Sequence, residues 1–408
     1  MSFIADFHIH SKYSRATSPE MDLEHLVQAA RAKGISLIGT GDFTHPVWFQ
    51  ELKKKLQPVA EGIYAYRGLR FILTVEVCNI FPSHNSIKRI HNVVFLPNLE
   101  SVERLSLKLA LYGNLASDGR PMLQLSADDL VGLVKDAAEF GFVVPAHIWT
   151  PHFSLFGSKS GFDRIEDCFP KRRAEIFALE TGLSSDPAMN WRLSCLDGYS
   201  LISNSDAHSP AKIGREVNVF REALDYCELF NVLKKKDRKK FLGTVEYFPE
   251  EGKYHYDGHR SCKSSLSPEK AIARKNLCPV CGRKITVGVL HRVCDLADRP
   301  EGTIPKNSIP FQRMVPLDQI IAFVLKRPVD SPVVKEKYQT LIQDLAPEFE
   351  ILLSLPESEI ERKAEPEIAA AIISVRRGRV KVEPGYDGEF GKVEIMPESS
   401  VKQARLFK

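Results

Sequence analysis

FIADFHIH, residues 3–10, reads as an apolar strand closing on two histidines, with Ser11 next, and its reading decides the fold. Side chains alternate along a strand, so His8 and His10 project from one face, where two ring nitrogens can serve one metal ion. Ser18 and Pro19 read as the start of a helix over 18–33, with Leu23, Leu26, Val27 and Ala30 on one apolar face and Gly34 as its stop. A strand at 35–39 follows at once. The alternation repeats through FILTVEV (71–77), NVVFL (92–96), a helix opened by Ser126, GFVVPA (141–146), EIFALE (175–180) and SLISNS (200–205). Repeated strand, helix, strand units predict a parallel sheet or α/β barrel over residues 1–225.

In such a barrel the strand ends converge on one mouth, so chemically active residues far apart in sequence meet there. Asp42 follows the second predicted strand and Glu76 lies within FILTVEV. His91 opens NVVFL, His147 closes GFVVPA, and Asp206 and His208 close SLISNS. Mixed imidazole and carboxylate donors suit divalent ions such as zinc or manganese, and a carboxylate can bridge two of them.

Further along, the chain changes character. Residues 245–298 carry His259, Cys262, Cys278 and Cys281 as H-x2-C-x15-C-x2-C, the spacing of a structural zinc site; His255 and His291 are alternative fourth ligands. Residues 299–398 read as mainly helical, with a short hairpin turned at Asp387-Gly388, and 399–408 as a flexible tail.

Composition narrows the function classes. The 408 residues contain 56 Lys and Arg against 52 Asp and Glu, a net charge of +4, which permits a nucleic-acid partner without requiring one. The basic run KKKDRKK (234–240) reads as a solvated face or linker, or alternatively as a phosphate track. No apolar stretch approaches the roughly 18 residues of a membrane span, and the opening residues lack a signal-peptide pattern, so a cytoplasmic protein without membrane contact is expected.

DFHIHS, GTGDFTH, Glu76, His91, PAH ending at His147, and SDAH at 205–208 together resemble the ordered motifs of the polymerase and histidinol phosphatase (PHP) domain. That resemblance implies a distorted (β/α)7 barrel with two or three divalent ions (Zn, Mn or Mg) and phosphoesterase activity. It implies that His8, His10, Glu76 and Asp206 hold one ion, that Glu76, His91 and His147 hold a second, and that His208 belongs to a third position. The chain departs from the family pattern at Gly41-Asp42-Phe43 and around Ser14-Arg15, leaving Asp42 or His45 to complete the third position. Asp206 or His208 would handle the proton, and Glu180 would orient a ligand.

The whole order of modules, barrel motifs, KYHYDGHRSC, NLCPVCG, helical region and PGYDGEFG, resembles the endonuclease Q family. This implies a DNA repair nuclease that cuts 5′ to a deaminated base (uracil, hypoxanthine, xanthine) or an abasic site, in double- or single-stranded DNA and with no nucleotide cofactor. Ser11, Tyr13, Trp149 and Asn204 adjoin the metal motifs and are candidates for the lesion pocket. Gln403, Leu406 and Phe407 sit in a segment that resembles the peptide by which bacterial proteins dock on the sliding clamp. The alternatives are a small-molecule phosphatase of the histidinol phosphate type and a non-catalytic DNA-binding adaptor.

Overall fold

The computed structural model describes residues 3–83 and 86–396. The clamp-like residues Gln403, Leu406 and Phe407 lie outside them. No helix among the described residues is long and apolar enough to cross a membrane.

The fold is a mixed α/β arrangement around one large sheet. β1 (Phe3–Asp6) pairs in parallel with β2 (Leu37–Gly39), and β2 in parallel with β3 (Leu69–Ser83). β4 (Ser86–Leu96) then runs antiparallel to β3, and β5 (Phe142–Pro145) antiparallel to β4. β6 (Ala178–Glu180) and β7 (Ser200–Ile202) form a separate parallel pair. Beyond the other edge of β1, β8 (Val217–Phe220) and β9 (Phe241–Glu246) extend the sheet antiparallel.

One expectation is corrected here. The sheet is mixed rather than parallel, because β3 returns directly through β4 with no intervening helix. Among the described residues, the ladders leave the β6–β7 pair separate from the large sheet. At the seam between β7 and β1, Phe7 N donates to Asn204 Oδ1 (2.8 Å), Ser205 N to Asp6 Oδ1 (3.1 Å) and His10 N to the Ala207 carbonyl (3.0 Å), while Ser203 N donates to Asn218 Oδ1 on β8 (3.1 Å). Sequence periodicity reports which residues are apolar, not which backbone groups a buried Asn or Asp will satisfy.

Helix α1 is Leu23–Lys33, shorter than expected. Ser18 is held in a turn, its N–H donating to His208 O and its carbonyl accepting from Met21 N, so Asp22 becomes the cap and accepts from His25 N at 3.0 Å. Ser126 does open its predicted helix, accepting from Asp129 N at 3.0 Å.

The C-terminal region packs three main helices, α2 (Leu317–Leu325), α3 (Pro332–Asp344) and α4 (Pro366–Arg376), through Ile320, Ile321, Val334, Leu341, Ile368 and Ile372. A buried ion pair ties this region to the sheet's first helix: Lys33 Nζ lies 3.0 Å from Glu348 Oε2, which also accepts from Tyr338 OH at 2.7 Å. The hairpin Val380–Glu383 with Lys392–Ile395 follows, and Asp387 and Gly388, both at positive φ, form its turn.

Candidate metal centre

β1 ends at Asp6, and the chain beyond it carries His8 and His10 into the centre of one end of the sheet. There His8 Nε2 lies 3.5 Å from both Glu76 Oε2 and Asp206 Oδ1, and His10 Nε2 lies 3.2 and 3.0 Å from the same two oxygens. On the other side of Glu76, Oε1 is 2.6 Å from His91 Nδ1 and 3.0 Å from His147 Nε2. His91 reaches this end because β4 runs antiparallel, placing its early residues beside the late residues of β3; His91 stands opposite Cys78. Two donor sets thus share one carboxylate: His8, His10, Glu76 and Asp206, and Glu76, His91 and His147, with the ligand atoms of each set within 4.8 Å of one another.

A set of supporting residues aims these donors. His8 Nδ1 faces both Glu180 oxygens at 3.0 and 3.1 Å, which selects the tautomer with a lone pair on Nε2. That Nε2 is buried and has no hydrogen-bond partner, as expected of an atom made for a cation. The donor chemistry and this orphaned nitrogen together fit divalent ions.

Glu180 also accepts from His147 N (2.8 Å) and Asn204 Nδ2 (2.7 Å). Three residues of the centre, Asp42 (φ 48°), His147 (φ 30°) and Asp206 (φ 47°), adopt left-handed backbone conformations, concentrating strain at the mouth as functional sites do. At Gly182 a Cβ would come within 2.4 Å of the His147 Cβ, so only glycine lets His147 stand there.

Burial alone would lower the His8 and His10 imidazoles, but the carboxylates overcome it. Glu180, Glu76 and Asp206 hold His8 well above its usual range, and Asp206, Asp42 and Glu76 do the same for His10. Burial would raise the two central carboxyls, yet His8 and His10 hold Asp206, and His91, His8 and Arg120 hold Glu76, well below the ordinary carboxylate range. His91 behaves differently despite its close Glu76 contact: burial, helped by His147 and Arg120, carries it down to about 4, leaving it neutral and ready to ligate.

Asp42 requires a correction. Its Oδ2 accepts from Ser11 N (2.6 Å), Ser11 Oγ (2.7 Å) and Ser14 Oγ (2.8 Å), and its Oδ1 faces His10 Nδ1 at 3.2 Å. The carboxylate therefore sits behind His10, outside the grouped ligand atoms, because local donors already occupy it. His208 adjoins the cluster, its ring centroid 4.4 Å from that of His10 and its Nδ1 2.9 Å from the Asp206 carbonyl. His45 caps a helix and stacks on Tyr13.

The expected pocket residues are mostly engaged elsewhere. Trp149 is buried, donates from Nε1 to Asn190 Oδ1 at 2.8 Å and packs on Phe156, so it belongs to the core. Asn204 bridges the β1–β7 seam, and Ser11 serves Asp42. Tyr13, whose hydroxyl donates to Glu51 Oε1 at 2.7 Å, keeps partial exposure.

Sequence reasoning missed Arg120, whose Nη1 lies 3.1 Å from Glu76 Oε2. It comes from an irregular segment, so no periodicity marks it. The run 234–240 lies at the opposite end of the sheet from the cluster: Phe241 pairs with Phe220, which pairs with Phe3 at the start of β1. Several of its cations are tied to the chain itself, Lys240 to Glu222 and Glu228, Lys236 to Asp197 O and Arg238 to Lys306 O.

The second cluster is local. His259, Cys262, Cys278 and Cys281 converge with ligand atoms within 4.8 Å, on a small module whose apolar centre is Leu266, Ala271, Cys278 and Ile285. Burial would raise the Cys278 thiol, but the N–H groups of Cys281 and Val280 and the His259 ring hold it down at about 6. Of the alternative ligands, His291 turns onto Asp257 Oδ2 at 2.6 Å, and His255 is buried beside Tyr256.

A family model described as the MJ0043 C-terminal domain matches residues 316–379. The Bacillus subtilis protein YqxK is 30% identical over 413 aligned residues, covering 96% of this chain and 98% of its own. MJ0043 of Methanocaldococcus jannaschii is 32% identical over 259 residues, 61% of this chain but only 32% of that longer protein. Among solved structures, the lesion-specific endonuclease PfuEndoQ from Pyrococcus furiosus superposes with a TM-score of 0.88 at 30% identity, covering 100% of both chains. An endonuclease Q solved with a 27-mer duplex carrying an abasic lesion at its active site gives a TM-score of 0.86 at 31% identity, covering 99% of this chain and 100% of the other.

The fold and the centre define a metal-dependent phosphodiesterase. The similarity runs from end to end, through sheet, cysteine module and helical region alike. This chain belongs to the endonuclease Q family.

Proposed function

We propose that this chain is a DNA repair endonuclease that hydrolyses the phosphodiester 5′ to a deaminated base (uracil, hypoxanthine or xanthine) or an abasic site. The observation that carries the chemistry is the sharing of Glu76 by two donor sets, with the buried His8 Nε2 left without a partner. Family membership supports the substrate class.

His8, His10, Glu76 and Asp206 would hold one divalent ion and Glu76, His91 and His147 a second. Bound there, such ions lower the pKa of water and neutralise phosphate oxygens. The chain's own residues do the rest. Glu180 fixes the His8 ring and, through the His147 N–H, the His147 backbone. Asp42 and Ser14 fix His10.

Asp206, held ionised far below neutrality, is a ligand rather than a proton carrier. His208 is the proton handler: burial, reinforced by His10, lowers its pKa, and with Nδ1 facing the Asp206 carbonyl its Nε2 is left as the base. An extruded lesion base suits this reading, since a weakened pair costs less to unstack. His259, Cys262, Cys278 and Cys281 would hold a structural zinc. Gln403, Leu406 and Phe407 are proposed as a clamp-docking segment on sequence grounds, in a cytoplasmic setting.

The test is incubation with Mg2+ or Mn2+, and with EDTA as control, on end-labelled duplexes carrying one deoxyuridine, deoxyinosine or abasic site beside an undamaged duplex. A single metal-dependent cut 5′ to the lesion is expected. Hydrolysis of small phosphomonoesters without any cut would instead favour the phosphatase alternative.

A further inference from the structure

Arg120 stands at the junction of the two donor sets, and the chain is built to bring it there. Asp118, itself buried, accepts from Arg15 N and Arg120 N, both at 3.2 Å, which folds the segment back over the centre. Gly119 N donates to Tyr13 O at 3.0 Å. A Cβ on Gly119 would fall within 2.2 Å of Asp42 Oδ2 and 2.4 Å of Ser14 Oγ, so a bare backbone is needed to press the segment against the residues that orient His10.

Arg120 then enters the mouth with Nη1 3.1 Å from Glu76 Oε2, its side chain 28% exposed and thus open to a ligand. A guanidinium has five donors in a fixed fork. One faces Glu76, the carboxylate common to both donor sets. The fork's remaining donors are the natural complement of a second anion held against the same ions.

We infer that Arg120 grips a non-bridging oxygen of the scissile phosphodiester and stabilises the negative charge that grows there during hydrolysis. This rests on the phosphodiesterase reading of the centre and not on the choice of lesion. In the protein without substrate, the same side chain serves as counter-charge to Glu76. A lysine would keep the charge but lose the fork, which makes the conservative variant informative.

The experiment compares wild type, Arg120→Gln and Arg120→Lys, each loaded with Mn2+. Metal content is read by plasma mass spectrometry, inorganic phosphate binding by calorimetry, and hydrolysis on bis(4-nitrophenyl) phosphate and on the lesion duplexes. The expected result is unchanged metal content and melting temperature, phosphate affinity weakened about tenfold or more in Arg120→Gln, and kcat/KM lowered about 10²-fold. Arg120→Lys should recover part of both.

Loss of metal or melting temperature in Arg120→Gln, with phosphate affinity per loaded protein unchanged, would reduce Arg120 to a counter-charge and overturn the inference. So would a wild type that takes up no phosphate. A wild type that cuts no lesion duplex, yet loses phosphate affinity on Arg120→Gln, would sink the lesion reading while supporting this one.

Discussion

The two metal-type clusters are built on opposite plans. The thiolate cluster draws its four ligands from 259–281, on a module whose buried apolar centre is four residues. The imidazole and carboxylate cluster draws from His8 to Asp206, from segments spread over about 200 residues of chain, and its first two histidines are each backed by a buried carboxylate, His8 by Glu180 and His10 by Asp42. A dispersed cluster is assembled by the fold, whereas a local cluster on so small a core is expected to gain stability from any ion it holds.

The comparison can be broken most directly at its chemical pole. Glu76→Gln should lower lesion-dependent nicking by more than about 100-fold with the circular dichroism spectrum unchanged, whereas Glu180→Gln, acting through His8, His147 and Asn204, should cost about 10- to 100-fold. Equal losses from the two would deny the distinction between holding an ion and aiming its ligand. At the other pole, Cys278→Ser should remove one zinc equivalent and abolish hydrogen-exchange protection over 257–286, while the sheet stays protected. Collapse of both regions together would make the module integral to the sheet.

Stability probes sharpen the contrast further. Glu348→Ala strands Lys33 as a buried, unpaired ammonium between α1 and the C-terminal helices, and should destabilise the chain by about 3 kcal/mol or more in denaturant unfolding. A smaller effect belongs to Glu246, on β9, whose carboxyl is raised to about 7 by burial, with the hydroxyls of Ser203, Thr244 and Thr181 only partly opposing. Its folded pKa lies above its unfolded value, so the folded state holds the proton more tightly. Stability is therefore fully present below about pH 4.5 and is lost as pH rises through about 7. Glu246→Gln should flatten that decline by about 2 kcal/mol in melting curves taken from pH 5 to 8; an unchanged slope would show that the carboxyl is ionised throughout.

The helix opened by Ser126 and the turn at Asp387-Gly388 were legible because both obey local chemistry, a hydroxyl cap and residues tolerant of positive φ. The sequence grouped His8, His10, His91 and His147 through strand alternation and strand ends, but in the structure β1 stops at Asp6 before His8 and His10, and His91 lies within β4. The sequence could not show that Asp42 stands behind His10, because its three nearest donors come from the Ser11–Ser14 turn, whose path no pattern reveals. The sequence also could not show that Trp149 turns to Asn190 and Asn204 to Phe7 N and Glu180, because adjacency in sequence to a ligand says nothing about which way a side chain turns. Arg120 was invisible, being delivered by an irregular segment that carries no apolar periodicity.

By itself, the sequence determined the donor types, their order along the chain and the spacing of the thiolate module, since these depend on residue chemistry and short-range geometry. Only the tertiary structure decided that β4 reverses, that Glu76 joins two donor sets, that Asp42 stands behind His10, and that His259 rather than His291 faces the thiols. Each of those outcomes depends on which distant groups compete for one buried hydrogen bond, and that competition is settled only when the sheet brings them within about 3 Å.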